Sequence, residues 1–135
     1  MTGYSGTPLA TKLGIKEGTR LTLLDAPAGW SVPALPSGVE VRTTAGPCDV
    51  VVAFCRTARD VRSRLPSTGR HVFPSGGLWV AWPRKAGGHV SDVTEQLLRD
   101  LGLPSGLVDN KVAAIDERWS GLQFVLRVEL RSATR

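Results

Sequence analysis

The sequence predicts an α/β fold: a layered, mostly parallel sheet that closes with an antiparallel strand pair at its C-terminal end. Three observations carry this. Short apolar strands alternate with helical segments, which sets helices against a sheet instead of segregating them. Asp49-Val-Val-Val-Ala-Phe54 is an unbroken run rich in β-branched residues, as a central strand covered on both faces requires. The last two apolar stretches are joined through Trp119-Ser-Gly121, a loop too short for a crossover, so they pair antiparallel.

The elements follow in order. Thr7-Pro8 opens a short helix over Leu9–Leu13, with Thr7 as cap, proline at the first helical position and Gly14 as stop. Gly18 leads into a strand over Arg20–Leu24 that ends at Asp25-Ala-Pro-Ala-Gly29. A brief element around Trp30–Leu35 precedes the turn Pro36-Ser-Gly38 and a short strand over Val39–Arg42. The gap from Arg42 to Asp49 is too short for a crossover helix. That strand is therefore either an edge strand with an extended return or an antiparallel one. An arginine-rich helix spans Thr57–Leu65, ended by Pro66, with a second short turn near Arg70–Phe73. Leu78–Trp82 is the next strand, on which Trp79 and Trp82 have opposite parity and face opposite sides. Val93, Leu97, Leu98 and Leu101 share one face of a helix over Val93–Leu101, stopped by Gly102 and Pro104. Asp92 followed by Glu95 reads as its capping box. Lys111–Ile115 and Leu122–Leu130 are the closing strands.

At 135 residues and 14.4 kDa the chain makes one domain with its own core. Apolar residues at 41% against 21% charged exclude a disordered chain, and no apolar run reaches the roughly 18 residues of a membrane helix. Met1-Thr-Gly-Tyr-Ser-Gly6 lacks a basic-then-apolar signal, so the expected location is the cytoplasm, with no membrane partner. Cys48 and Cys55 are seven apart on one extended segment, hence on opposite faces and roughly 23 Å apart. They read as unbridged, buried structural thiols. Neither cysteine nor histidine spacing suggests a metal site.

The net charge is +5, and thirteen of the seventeen cations are arginine. Arg56, Arg59, Arg62, Arg64 and Arg70 fan over a helix opposite Ala58, Val61 and Leu65, as a solvated outer face does. Arg59 and Arg62 are the candidates for nucleic-acid contact. No aromatic residue interleaves with them to stack on bases, which argues against that partner.

Ligands of open α/β sheets bind beyond the carboxyl ends of the strands. Trp82-Pro-Arg-Lys-Ala-Gly-Gly-His89 leaves such an end with cations at Arg84 and Lys85, a third at His89 when protonated, and two glycines that let backbone amides approach an anion. The ligand class this predicts is an anionic small molecule. Trp119 and Ser120, at the last hairpin, fall at the same edge. Trp119 either stacks on a ligand ring or folds back onto the core. Arg84 and Lys85 could alternatively pair with Asp92 and Glu95. Asp109 and Lys111 fall at the opposite edge, where they form a local ion pair if they share a face. His71 and His89 have no nucleophile context, so hydrolase chemistry has no support.

Gly3-Tyr-Ser-Gly-Thr-Pro-Leu-Ala10, Lys12-Leu-Gly-Ile-Lys16, Gly77-Leu-Trp-Val-Ala-Trp-Pro-Arg-Lys85, Val108-Asp-Asn-Lys111 and Trp119-Ser-Gly-Leu122 resemble strings of the uncharacterised bacterial family DUF3052. The resemblance spans nearly the whole chain, with Arg84 where the family string has lysine. It implies no activity, only a DUF3052-like single domain over residues 1–135. A second, distant resemblance is to the Rossmann-like core of S-adenosylmethionine-dependent methyltransferases. Lys16–Asp25 is similar to their first strand, Cys48–Phe54 to the strand closing the cofactor site, and Pro74–Val80 to the next. What it implies is a small, truncated Rossmann-like sheet in three layers.

Residue by residue, the cofactor itself is disfavoured. A nucleotide site needs a glycine-rich first turn and an acid ending the second strand. This chain has Asp25-Ala-Pro-Ala-Gly29 and Arg42-Thr-Thr44, and Phe54-Cys-Arg-Thr57 stands where an acid/aromatic catalytic motif would follow. The expected function is a non-catalytic ligand-binding or regulatory module, without a cofactor and open to a protein partner. The alternatives are a diverged methyltransferase-like enzyme completed by a partner subunit and nucleic-acid binding through the Arg56–Arg70 segment.

Overall fold

The computed structural model describes residues 8–84 and 91–127, with Thr68 the one side chain described between 66 and 75. Its elements are α1 (Leu9–Leu13), β1 (Arg20–Leu24), β2 (Glu40–Arg42), β3 (Cys48–Phe54), α2 (Ala58–His71), β4 (Val72–Pro83), α3 (Glu95–Gly102), β5 (Leu107–Ala114) and β6 (Trp119–Leu126), with a 3-10 turn over Leu103–Ser105. The six strands form one sheet in the order β2-β1-β3-β4-β6-β5. β1 to β4 run parallel, and β6 is antiparallel to both β4 and β5. The predicted α/β class, with its mostly parallel sheet and antiparallel closing pair, is what the chain adopts.

The apolar runs of β1 and β3 need cover on both faces, and each face has its own core. Leu24, Val51, Val80 and Leu122 pack beneath Val61 and Leu65 of α2 and Leu98 of α3. Leu21, Val52 and Trp79 meet Ala10 and Leu13 of α1, together with Val32 and the half-buried Trp30 from the segment following β1. Trp79 donates its indole N–H to the Leu13 carbonyl at 3.1 Å, while Trp82 packs on the α2/α3 face, as their parity predicts. The third layer is thus one short helix and a folded segment. Residues 30–35 form turns and no regular element.

Several boundaries differ from the sequence expectation, each for a physical reason. β2 is a parallel edge strand, and residues 43–47 return beneath β1 to start β3. That lateral step of two strand spacings, about 10 Å, is within reach of five extended residues. α1 is capped at Pro8, with Gly14 left-handed at φ 81° as its stop. α2 continues through Pro66 because Leu65 and Thr68, on either side of the proline, are both buried against the sheet. That burial outweighs the lost backbone donor. α3 is capped by Thr94, whose hydroxyl accepts the Leu97 N–H at 3.1 Å; Asp92 does not cap it.

Two register irregularities reverse sequence-parity arguments. Between the pairs Cys48↔Val72 and Val50↔Gly77 the ladder shifts, and Cys48 joins Cys55 on the α2/α3 face instead of opposing it. Both cysteines are buried and unbridged. A second shift between Asp109 and Lys111 turns them to opposite faces. Asp109 pairs with Arg99 of α3 at 3.0 Å, and Lys111 lies over the Trp79 ring at 5.7 Å, so the expected ion pair between the two is replaced by separate contacts.

Candidate functional site

The carboxyl edge of the parallel strands is where this topology places a ligand. β1 ends at Asp25, held left-handed at φ 60°, and Gly29 at φ 78° turns the chain so that Trp30 comes back over the sheet. The ring of Trp30 meets Phe54, the last residue of β3, edge-on at 4.8 Å, and Phe54 meets Trp119 edge-on at 4.9 Å. The three rings form one continuous aromatic cap across β1, β3 and β6. Arg56 closes it from above, its guanidinium 5.2 Å from the Trp119 ring centre and its Nη1 donating to the Asp25 carbonyl.

Asp116 ties the cap down. Its Oδ2 accepts the Trp30 indole N–H at 2.9 Å, and its Oδ1 accepts the backbone N–H groups of Arg118 and Trp119 at 2.7 and 2.9 Å. The guanidinium of Arg84 donates to the Asp116 carbonyl at 3.1 Å, and the Arg84 N–H to the Arg118 carbonyl at 2.8 Å. Asp25 is engaged as well, its carboxylate receiving Arg64 through both Nε and Nη2.

The N-terminus of α2 faces the same edge, and side chains already engage several amides there. Asp60 Oδ2 accepts from the N–H groups of Arg56 and Thr57, and Asp92 Oδ1 accepts from Ala58 N–H at 2.7 Å. Asp92, read from the sequence as the cap of the helix that follows it, caps the helix before it. Ser91 adds a hydroxyl donated to the Arg56 carbonyl at 2.9 Å. An anion arriving there meets two carboxylates.

The sequence-predicted site residues are distributed as follows. Arg84 is half-buried and engaged with Asp116, and Trp119, 7% exposed, folds back onto the core. Ser120 is half-buried and stands opposite Trp82 in the β4–β6 ladder. Lys85 and His89 lie outside the described residues. Arg59 and Arg62 are exposed on the outer face of α2. Glu95 pairs with Arg99 at 3.0 Å, not with Arg84. Trp30 and Asp116, which organise the edge, are not distinguished by the sequence, since no local pattern links positions 86 apart.

The opposite, amino edge carries a cleft of about 680 Å³, bounded by Lys16 to Thr19 on one side and by Gly77, Lys111 and Gln123 on the other. Among the described residues no three His, Cys, Asp or Glu side chains are grouped to hold a metal, and no helix is long and apolar enough to cross a membrane.

No family model matches the chain, and no curated protein matches it. Solved structures do. Magnesium protoporphyrin IX methyltransferase from Synechocystis PCC 6803 with bound SAM aligns with a TM-score of 0.61 at 11% identity, over 88% of this chain and 74% of that one. A SAM-dependent methyltransferase from Aquifex aeolicus aligns at 0.55 and 12% identity over 86% of each chain. Aeropyrum pernix fibrillarin with natively bound S-adenosyl-L-methionine aligns at 0.54 and 12%, over 91% of this chain and 70% of that one. At such identities the likeness establishes the fold alone: the chain adopts a small Rossmann-like α/β fold, as these structures do.

Two features of the carboxyl edge differ from a glycine-rich nucleotide site. Gly29 is the sole glycine in the turn after β1 and follows Pro27, which has no N–H to offer. β2 ends in Arg42, paired with Glu40 at 3.0 Å, where an acid would hold ribose hydroxyls. Trp30 and Trp119 flank Phe54 at the end of β3.

Proposed function

We propose that this protein is a non-catalytic ligand-binding or regulatory module of the DUF3052 type, built on the methyltransferase sheet with its cofactor edge closed by its own side chains. The observation that carries this is the Trp30–Phe54–Trp119 cap, anchored by the Trp30–Asp116 hydrogen bond. An adenosyl ligand there has to displace two indoles and break that bond before making any contact of its own. In this reading the Trp82–His89 loop is where an anionic small molecule meets the edge. Arg84 is tied to Asp116; Trp119 and Ser120 stand at the same edge, and Lys85 and His89 are the residues that would supply further charge.

The test is calorimetric titration of S-adenosylmethionine and S-adenosylhomocysteine into the purified chain at about 1 mM ligand, a concentration that reveals any affinity of functional size. No saturable heat is expected. Saturable binding of either compound overturns the closed-edge reading.

One observation favours a second reading, a diverged methyltransferase-like enzyme completed by a partner: the aligned structures include chains with SAM and SAH bound. A partner would then have to draw Trp30 away from Asp116. Titrating the same ligands into Trp30→Ala separates the two, because binding regained in that variant supports a displaceable plug. Exposure of Arg59 and Arg62 is what remains for nucleic acid. Binding to single-stranded DNA that is lost in the Arg59→Glu, Arg62→Glu double variant would support it.

A further inference from the structure

We propose that the amino-edge cleft is a binding site for a carboxylate, carried either by a small organic acid or by a peptide C-terminus. The cleft opens beside the C-terminal end of α1, at the opposite end of the strands from the aromatic cap. Its about 680 Å³ falls within the range of small-molecule and peptide-end sites.

The inner wall is built around one side chain. Gln123 is 8% exposed, and its Oε1 accepts the Asn110 Nδ2–H at 2.7 Å, which fixes the orientation of the carboxamide. The Nε2 group then lies over Gly77, where a Cβ would stand 2.5 Å from it. Glycine at 77 is what makes room for this amide. The Nε2 hydrogens find no acceptor among the described residues, and Gln123 lines the cleft, so this donor is open to an acceptor that enters it. Such a donor gains from an acceptor brought by a ligand.

A second donor stands beside it. Lys111 is the direct β5 partner of Gln123, and its ammonium lies over the Trp79 ring, which holds it on the cleft face. An amide N–H and an ammonium on paired positions of neighbouring strands match the two oxygens of one carboxylate. The acids at the cleft are on the far side. Asp49 already accepts the Arg20 N–H at 2.8 Å, and Glu17 is exposed at the rim. That arrangement repels polyanions and suits a single negative charge with a neutral or cationic remainder. The site stands independently of whether the carboxyl edge takes S-adenosylmethionine.

The experiment is a ¹H–¹⁵N NMR titration of the full chain, in which the Gln123 side-chain NH₂ is itself a probe. Ligands are benzoate, butyrate and N-acetyl-Gly-Gly, with N-acetyl-Gly-Gly-amide as the uncharged control. Saturable shifts of the Gln123 NH₂ and Gly77 N–H with at least one carboxylate, and none with the amide, are expected. Benzoate or butyrate acting alone indicates an organic acid, and N-acetyl-Gly-Gly alone indicates a chain terminus. Lys111→Gln, at an exposed position, should weaken binding by about fivefold to tenfold while leaving the spectrum folded. Gly77→Ala should abolish the shifts. Absence of saturable shifts with all three carboxylates, equal response to the amide, or unchanged affinity in Lys111→Gln overturns the proposal.

Discussion

The indole N–H of Trp30 donates to Asp116 Oδ2 at 2.9 Å, joining the turn after the first strand to the turn before the last. Because Asp116 also holds two backbone amides of its own turn, one carboxylate both orders that turn and ties it to the turn after β1.

Trp30→Phe keeps a six-membered ring beside Phe54 and removes the N–H together with part of the indole. Its cost in urea unfolding should be about 1 to 2 kcal/mol, the worth of one hydrogen bond plus some lost packing. Asp116→Ala removes the carboxylate that accepts all three hydrogen bonds and should cost about 2 to 3 kcal/mol. Equal losses in the two variants would mean that the carboxylate acts on Trp30 alone.

Asp92→Ala should destabilise by about 1 kcal/mol as the loss of a helix cap. The location of the damage matters more than its size. Amide exchange should accelerate at Ala58, whose N–H loses its acceptor, and stay unchanged at Leu97, which Thr94 serves. The reverse pattern would restore Asp92 as a cap of α3.

Gly102→Ala tests packing against propensity. Alanine at a helical position is ordinarily favoured by about 1 kcal/mol over glycine. Here the new Cβ would lie 2.5 Å from Cε1 of the buried Phe124, so the variant should instead lose about 1 to 3 kcal/mol. A stabilised variant would show that Phe124 yields without cost.

Burial pushes the Cys55 thiol up to about 12, with Asp60 and Asp25 adding to the rise. The folded protein therefore keeps a proton that the unfolded chain releases above its ordinary value of 9.0. The stability this represents is complete below pH 9 and is lost as pH rises toward 12. Melting temperatures measured from pH 8 to pH 10.5 should fall less in Cys55→Ala than in the parent. With both thiols buried, 5,5′-dithiobis(2-nitrobenzoate) should react only after unfolding, and prompt reaction at neutral pH would contradict this burial.

The class of fold was legible because β-branched runs, capping residues and a closing hairpin are local signals, and the alternation of strands with helices limits how they can be layered. Trp79 and Trp82 sort to opposite faces by parity alone. Parity failed at Cys48 and between Asp109 and Lys111, where the ladder shifts; irregularities of one to three residues leave no mark in composition. Of the predicted ligand residues, Arg84 and Trp119 were placed at the right edge, but what each side chain touches there was beyond sequence reasoning.

The sequence by itself determined the α/β class, most of the element order and the two-sided core, since these depend on the periodicity of apolar side chains and on turn chemistry. Tertiary structure alone decided that Trp30 and Asp116 meet, that Asp92 caps the preceding helix, and that Gln123 comes to lie over Gly77. Those contacts join residues far apart in the chain through one or two atoms each. The free energy of such a pair depends on angstrom-scale approach, which the packed sheet creates and a linear pattern does not encode.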